Sequence, residues 1–140
     1  MKVQELIDLY RNDTRTQQII EELKLYAELN IQIRGLVGSS LSLIAASVFR
    51  ELSLTHLFIL PDKESAAYFF NDIENLFGEQ KLDYNKRKIL FYPTSYKRPY
   101  ESGQFDSADA LSRTEVMNRI SNRRKKSVIV TYPEALCEKV

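Results

Sequence analysis

The chain has 140 residues, of which 44% are hydrophobic and 28% are charged, a composition typical of one globular domain with a sizeable core. It carries 20 basic and 19 acidic residues, so its formal net charge of +1 does not mark it as a binder of nucleic acid or membrane surfaces. A single cysteine, Cys137, excludes an internal disulfide framework, and with one histidine it leaves too few ligands for a zinc cluster.

Residues 1–30 are predicted to form two amphipathic helices. Apolar residues recur there at helical spacing on both sides of a polar break at Asn12-Asp13-Thr14. They are Val3, Leu6, Ile7 and Tyr10 before the break, and Ile19, Ile20, Leu23 and Tyr26 after it. We treat these helices as an N-terminal unit that precedes an α/β subdomain at residues 31–140.

That subdomain begins with a pattern typical of a strand, a tight turn and a helix. Ile31–Arg34 is a short strand candidate, and an apolar helical run from Leu43 to Leu52 is predicted to be buried under a sheet. Between them lies Gly35-Leu36-Val37-Gly38-Ser39-Ser40-Leu41-Ser42. Ser39 or Ser40 is placed to cap the helix, whose N-terminus would attract an anion.

The turn has the placement of a phosphate-binding loop without the residues that hold a phosphate. On the pattern G-x-x-x-x-G-K-[ST], Gly35 takes the first glycine and Ser42 the terminal hydroxyl, but Ser40 replaces the second glycine and Leu41 replaces the lysine. Leucine offers neither a donor nor a charge to the β- and γ-phosphates. We therefore expect no bound cofactor here, and the alternatives are a plain structural turn and weak nucleotide binding.

Strands and helices alternate through the rest of the chain. Strands are predicted at His56–Leu60, Lys88–Tyr92 and Ser127–Thr131, and helices at Lys63–Phe77, ended by Gly78, and at Asp106–Asn122. The expected apolar faces are Ala67, Phe70, Ile73, Leu76 and Phe77 on the first helix, and Ala110, Leu111, Val116, Met117 and Ile120 on the second. The continuous apolar run at His56–Leu60 favours a strand covered on both faces, and the alternation favours a parallel sheet with helices on both sides.

Two segments carry features that nucleic-acid binding would use. The loop after the second strand contains Tyr96, Lys97, Arg98 and Tyr100, which are residue types that stack on bases and contact phosphates. The alternative is that the tyrosines close the edge of the sheet while the charges stay solvated. Arg119 and the run Arg123-Arg124-Lys125-Lys126 are also basic, but cations in the last turn of a helix are favoured by its dipole, so we expect a solvated turn here rather than nucleic-acid contacts.

Catalytic constellations are scarce, so we expect no catalytic residue. His56 opens an apolar strand without a nearby nucleophile, and Cys137 is predicted to be buried and inert. Four carboxylates at helical spacing are expected to face water or cap a helix, without a partner: Asp62, Glu64, Asp72 and Glu74. No apolar run approaches the ~20 residues of a membrane span, and with one cysteine this favours a cytoplasmic protein without membrane contacts.

The order of these features resembles the N-terminal, UvrB-like region of the bacterial transcription-repair coupling factors (Mfd). The degenerate phosphate loop, the strand His56–Asp62, the strand and aromatic loop Ile89–Tyr100, a long helix and the segment Ser127–Leu136 follow one another as in that region. The resemblance covers residues 31–140. It implies a RecA-like, P-loop-NTPase-type sheet with a degenerate nucleotide site.

What the resemblance implies for function is a silent subdomain of a larger machine. Such a subdomain scaffolds an adjoining domain that docks onto UvrA, and we expect the chain to continue beyond Val140. The parent protein's ATP and Mg²⁺ belong to motor domains elsewhere, as do its contacts with RNA polymerase and DNA. That protein, a helicase-superfamily translocase, releases stalled RNA polymerase and recruits nucleotide excision repair. Only five residues separate Tyr100 from the next helix, which leaves no room for UvrB's damage-probing hairpin.

Overall fold

A computed structural model describes residues 1–52, 54–95, 107–122 and 125–138. Within those residues the chain alternates helices and strands after two N-terminal helices. The elements are α1 (Val3–Asn12), α2 (Thr14–Leu25), α3 (Ser40–Glu51), β1 (His56–Ile59), α4 (Lys63–Phe77), a 3₁₀ turn (Tyr84–Lys86), β2 (Ile89–Phe91), α5 (Ser107–Asn122), β3 (Val128–Thr131) and α6 (Pro133–Cys137). The prediction of an α/β chain is confirmed.

The strands of the described residues form one small parallel sheet in the order β1-β3-β2. Val128 of β3 lies opposite His56 on one side and Ile89 on the other, so β3 is the central strand. All four residues of β3 are buried, as expected for a strand with neighbours on both edges. The predicted parallel pairing is confirmed for these strands.

The core lies between the sheet and α3 and α4. Phe49 of α3 and Ile73 of α4 pack with Val130 of β3 and the fully buried Tyr132. Helix α3 is buried along most of its length because α1 and α2 cover its other side. The prediction that this helix is buried is confirmed, and the N-terminal helices contact it directly.

Polar residues fix the ends of α2 and α4. The side chain of Asp13 accepts a hydrogen bond from the Arg15 amide at the start of α2, and Asp62 accepts one from the Ser65 amide at the start of α4. Gly78 ends α4 in the left-handed conformation, with φ of +66°, which a residue with a Cβ adopts at a cost. The predicted bounds of α4 are therefore confirmed at both ends.

The predicted strand at Ile31–Arg34 is wrong. These residues have no regular secondary structure, and the side chains of Ile31 and Ile33 are exposed. A strand is stable only when a neighbouring strand satisfies its amide and carbonyl groups, and none of the described strands pairs with this segment. The helix that follows, α3, is consequently not preceded by a paired strand.

Three predicted apolar faces also differ from the structure. β1 is covered on one face only, because the side chains of Leu57 and Ile59 remain 53% and 54% exposed. On α4 the buried face includes Ala66 and Phe69, whereas Ala67 is exposed. On α5 only one of the five expected core residues, Val116, is buried; the others are exposed, namely Ala110, Leu111, Met117 and Ile120.

Candidate phosphate-loop site

The turn before α3 is closed on itself by Ser40. The hydroxyl of Ser40 donates to the carbonyl of Val37 at 2.7 Å and accepts from the amide of Val37 at 2.9 Å. The Ser40 amide also donates to the Val37 carbonyl at 3.2 Å. Gly38 allows this ring because its φ is +55°. The Val37 amide is therefore already bonded and does not point outward toward a ligand.

The helix N-terminus is not capped in the way the sequence suggested. Ser39 occupies the N-cap position, where its carbonyl accepts from the Leu43 amide at 3.1 Å, but its side chain makes no capping hydrogen bond. The hydroxyl of Ser40 bonds backward to Val37 instead. Gly35 adopts a φ of +81° further upstream, which is a second position where the turn requires glycine.

The two residues aligned with the lysine and the terminal hydroxyl of a phosphate loop both contribute to packing. Leu41 is partly buried and packs against the main hydrophobic core. Ser42 is only 3% exposed, and its hydroxyl donates to a carboxylate oxygen of Asp72 on α4 at 3.3 Å. Leu41 lines an apolar groove beside the helix, and the hydroxyl of Ser42 is bonded between α3 and α4, so neither side chain offers a donor to a phosphate or its Mg²⁺.

A cluster of polar side chains lies at the carboxyl ends of β2 and β3. Arg113 of α5 donates to the carbonyl of Pro93 at 2.7 Å and forms an ion pair with Glu138 at 3.1 Å. Its guanidinium also lies over the Tyr92 ring, 4.3 Å from the centroid. The hydroxyl of Tyr132 accepts a hydrogen bond from the Thr94 amide at 2.9 Å.

Glu138 completes this cluster by holding the backbone after β2. Its carboxylate accepts hydrogen bonds from both the amide and the hydroxyl of Ser95. These bonds and the charge of Arg113 lower the pKa of Glu138 below its usual value. The cluster was missed by the sequence analysis, although Arg113 lies three residues before Val116 and therefore shares its helical face.

Two of the described basic residues, Arg119 and Lys126, point inward, whereas Lys125 is exposed. Arg119 donates to the carbonyls of Arg87 and Asn85 at 2.8 and 3.1 Å, and Lys126 donates to the last carbonyls of α3, Phe49 and Leu52, both at 3.1 Å. The expectation that the run is a solvated turn is therefore wrong for Arg119 and Lys126. Both side chains donate to backbone carbonyl groups of other segments and thereby stabilise the fold.

The aromatic loop and part of the basic run lie outside the described residues. Tyr96, Lys97, Arg98 and Tyr100 belong to the undescribed segment 96–106, and 123–124 are likewise undescribed. The predicted nucleic-acid contacts at these positions stay predictions.

Other candidate residues are placed as follows. Asp62 caps α4, and its hydrogen bonds with the Ser65 amide lower its pKa. Glu74 is buried and paired with Arg87, so the expectation that it lacks a partner is wrong, as it is for Asp72. Helical spacing alone did not reveal partners that come from a distant part of the chain.

The lone histidine and the lone cysteine have opposite environments. His56 is half-buried at the start of β1, with its ring against Phe49 at a centroid distance of 5.3 Å. Burial, and secondly the charge of Lys126, lower its pKa below 6.5. Cys137 is exposed at the end of α6, so the expectation that it is buried is wrong. Helix α6 has only five residues and buries Ala135 on the opposite side.

Comparisons with known proteins give no relative for this chain. It matches no family model, no curated protein and no solved structure. Within the described ranges, His, Cys, Asp and Glu side chains do not gather in groups of three or more that would hold a metal ion. None of the described helices combines the length and the apolar character needed to cross a bilayer.

Proposed function

We propose that this chain is a catalytically silent, RecA-like subdomain of a bacterial transcription-repair coupling factor. In this role it is a rigid support for the adjoining module that docks onto UvrA. The parent protein would use ATP-driven translocation on DNA to release stalled RNA polymerase and recruit excision repair. The resemblance at residues 31–140 supports this proposal, and the closed turn at Val37–Ser40 is the observation that carries its silent character.

The closed turn supports a site without nucleotide chemistry, because a phosphate loop needs hydrogen-bond donors that are free to bind the phosphate. Backbone amides must curl around the phosphate, a lysine must offset its charge, and a hydroxyl must reach Mg²⁺. In this chain the Val37 amide is bonded to Ser40, Leu41 packs against the core, and Ser42 is bonded to Asp72. The Asp72 carboxylate also adds a negative charge beside the turn, which disfavours an approaching phosphate.

Calorimetry tests the silent site directly. We expect no heat of binding when the chain is titrated with ATP and Mg²⁺ up to millimolar concentration. A dissociation constant below 1 mM would overturn this part of the proposal and favour the alternative, a nucleotide-binding domain. An unrelated P-loop protein, titrated in the same buffer, serves as the positive control.

A strand-specific repair assay in a bacterium that carries this gene tests the biological role. After ultraviolet irradiation, a strain without the gene should repair transcribed and non-transcribed strands at equal rates. The intact gene should restore faster repair of the transcribed strand, and so should a gene with Ser42→Ala, because a silent turn needs no hydroxyl. Unchanged strand bias in the deletion strain would contradict the proposal.

A further inference from the structure

Strand β1 has one edge at which no other strand of the described residues lies. The amides of His56 and Leu60 donate to the carbonyls of Ser127 and Thr131 at 2.9 Å, so alternate residues of β1 face β3. In a parallel ladder the main-chain groups of the intervening residues point the other way. The amides and carbonyls of Leu57 and Ile59 therefore face the opposite edge, where no strand of the described chain pairs with them.

An apolar groove borders this edge on each face of the sheet. On the α3 side, a groove of about 370 Å³ lies between β1, α3, α2 and Ile33, and Ile44, Val48 and Phe58 are among its lining residues. On the opposite side, a groove of about 300 Å³ is lined by Leu57 of β1 together with exposed residues of α5 and α6: Met117, Ile120 and Leu136.

We propose that the β1 edge binds one extended strand of another polypeptide, with apolar side chains on both of its faces. The main-chain groups that Leu57 and Ile59 direct toward this edge specify a strand, because only an extended backbone offers donors and acceptors at that spacing. The two grooves specify apolar side chains at successive positions, since these alternate between the faces. Charged residues and proline usually protect an edge strand from pairing with another chain, and His56–Ile59 contains neither.

A second copy of this chain fits the edge less well than a separate strand. A two-fold contact is isologous, so it would bring β1 against β1 of the other copy. β1 of the other copy has exposed apolar side chains on one face only, those of Leu57 and Ile59, because His56 and Phe58 are already partly buried in their own chain. The groove on the α3 side would therefore stay unfilled. A single inserted strand places side chains into both grooves of one chain. This inference does not depend on the proposed role in repair.

Fluorescence anisotropy with a defined peptide tests the proposal. The probe is a labelled peptide with the sequence Ser127–Tyr132, flanked by lysines, because β3 is an apolar strand that already pairs with β1. The control is a second peptide of the same sequence that is N-methylated at alternate residues, so that it lacks the amide donors along one edge. We expect saturable binding of the first peptide and at least tenfold weaker binding of the second. Equal binding of both, or binding of neither, would overturn the proposal.

Variants of the chain locate the binding edge. Leu57→Lys should weaken peptide binding at least tenfold, whereas Leu111→Lys, at an exposed position of α5 outside the grooves, should leave it unchanged. Thermal unfolding checks that each variant is folded. If Leu57→Lys does not fold, Ile59→Lys is used in its place. Equal binding by the edge variant and the Leu111 variant would contradict the assignment. Sedimentation tests for a dimer of this chain. A concentration-dependent dimer that the Leu57→Lys variant no longer forms would assign the edge to a second copy and overturn the proposal.

Discussion

The hydroxyl of Ser42 donates a hydrogen bond to the carboxylate of Asp72, across 3.3 Å and 30 residues of sequence. The bond connects the first turn of α3 to the middle of α4, and Ser42 is almost completely buried there. In a working phosphate loop the hydroxyl at this position would face a metal ion. In this chain it contributes to the packing of two helices.

Removing this hydrogen bond should lower the stability of the fold. Ser42→Ala removes the hydroxyl that donates to Asp72, and we expect the free energy of unfolding to fall by about 1 kcal/mol. Asp72→Ala and the double variant complete a mutant cycle in urea denaturation. A coupling energy of about 0.5 to 1 kcal/mol is expected for residues in direct contact. Fully additive effects would mean that the two side chains do not interact.

Restoring the phosphate-loop residues should not create an ATPase. Ser40→Gly with Leu41→Lys restores the glycine and the lysine, but Ser42 remains buried and bonded to Asp72, so the hydroxyl that would bind Mg²⁺ is not free. The double variant should also be less stable by about 1 to 3 kcal/mol, because it loses the bonds of Ser40 and the buried part of Leu41. Phosphate release in the presence of ATP and Mg²⁺ is the measurement. Turnover above that of the unchanged chain would contradict the prediction.

The sequence predicted the elements well where the signals were local. Gly78 and Asp62 mark the two ends of α4, and the alternation of apolar strands and amphipathic helices predicted parallel pairing. Ile31–Arg34 has the same local pattern as a strand but no described strand beside it, and pairing cannot be read from one segment. Pattern alone predicts what a segment can form, whereas its neighbours decide whether it does.

The candidate site was less predictable because its contacts are long-range. The inner face of α5 carries Arg113, Val116 and Arg119. Because two of these three residues are charged, a search for apolar residues at helical spacing identified the wrong face of the helix. Each arginine is stabilised by backbone carbonyls that lie 20 or more residues away in sequence. The departures at Ser40 and Leu41, by contrast, were visible in the sequence, although the partners of Ser40 and Ser42 were not.

Lys126 should stabilise the C-terminal end of α3. Its ammonium group donates to the carbonyls of Phe49 and Leu52 and lies 4.9 Å from the centroid of the Phe49 ring. Lys126→Met keeps most of the side-chain volume but loses the donors, so we expect a loss of about 1 to 2 kcal/mol in urea denaturation. The matched control is Lys125→Met, since Lys125 is exposed, and it should change stability by less than about 0.5 kcal/mol. Equal effects of the two variants would contradict this role.

Stability should decrease in mildly acidic solution because of His56. Burial and Lys126 lower the pKa of His56 in the folded chain, so below pH 6.5 the unfolded chain binds more protons than the folded one. The stabilisation is present above pH 6.5 and is lost as the pH falls through the lower folded pKa. Unfolding between pH 5 and 8 should show this slope, and His56→Gln should reduce it. The chain has one histidine, so an NMR titration reads its pKa directly. A pKa at or above 6.5 would contradict the prediction.

Arg113 should be the residue whose replacement most affects the carboxyl end of the sheet. Its side chain is 11% exposed and meets three groups at once: the Pro93 carbonyl, the Glu138 carboxylate and the face of the Tyr92 ring. Arg113→Lys keeps the charge but loses the planar fork that serves all three, so we expect a loss of about 2 kcal/mol in the free energy of unfolding. Arg15→Lys is the control, because the Arg15 side chain is 92% exposed and should tolerate the change. A loss for Arg113→Lys no larger than that of the control would mean that charge alone holds Glu138, and that the stacking on Tyr92 and the bond to Pro93 contribute little.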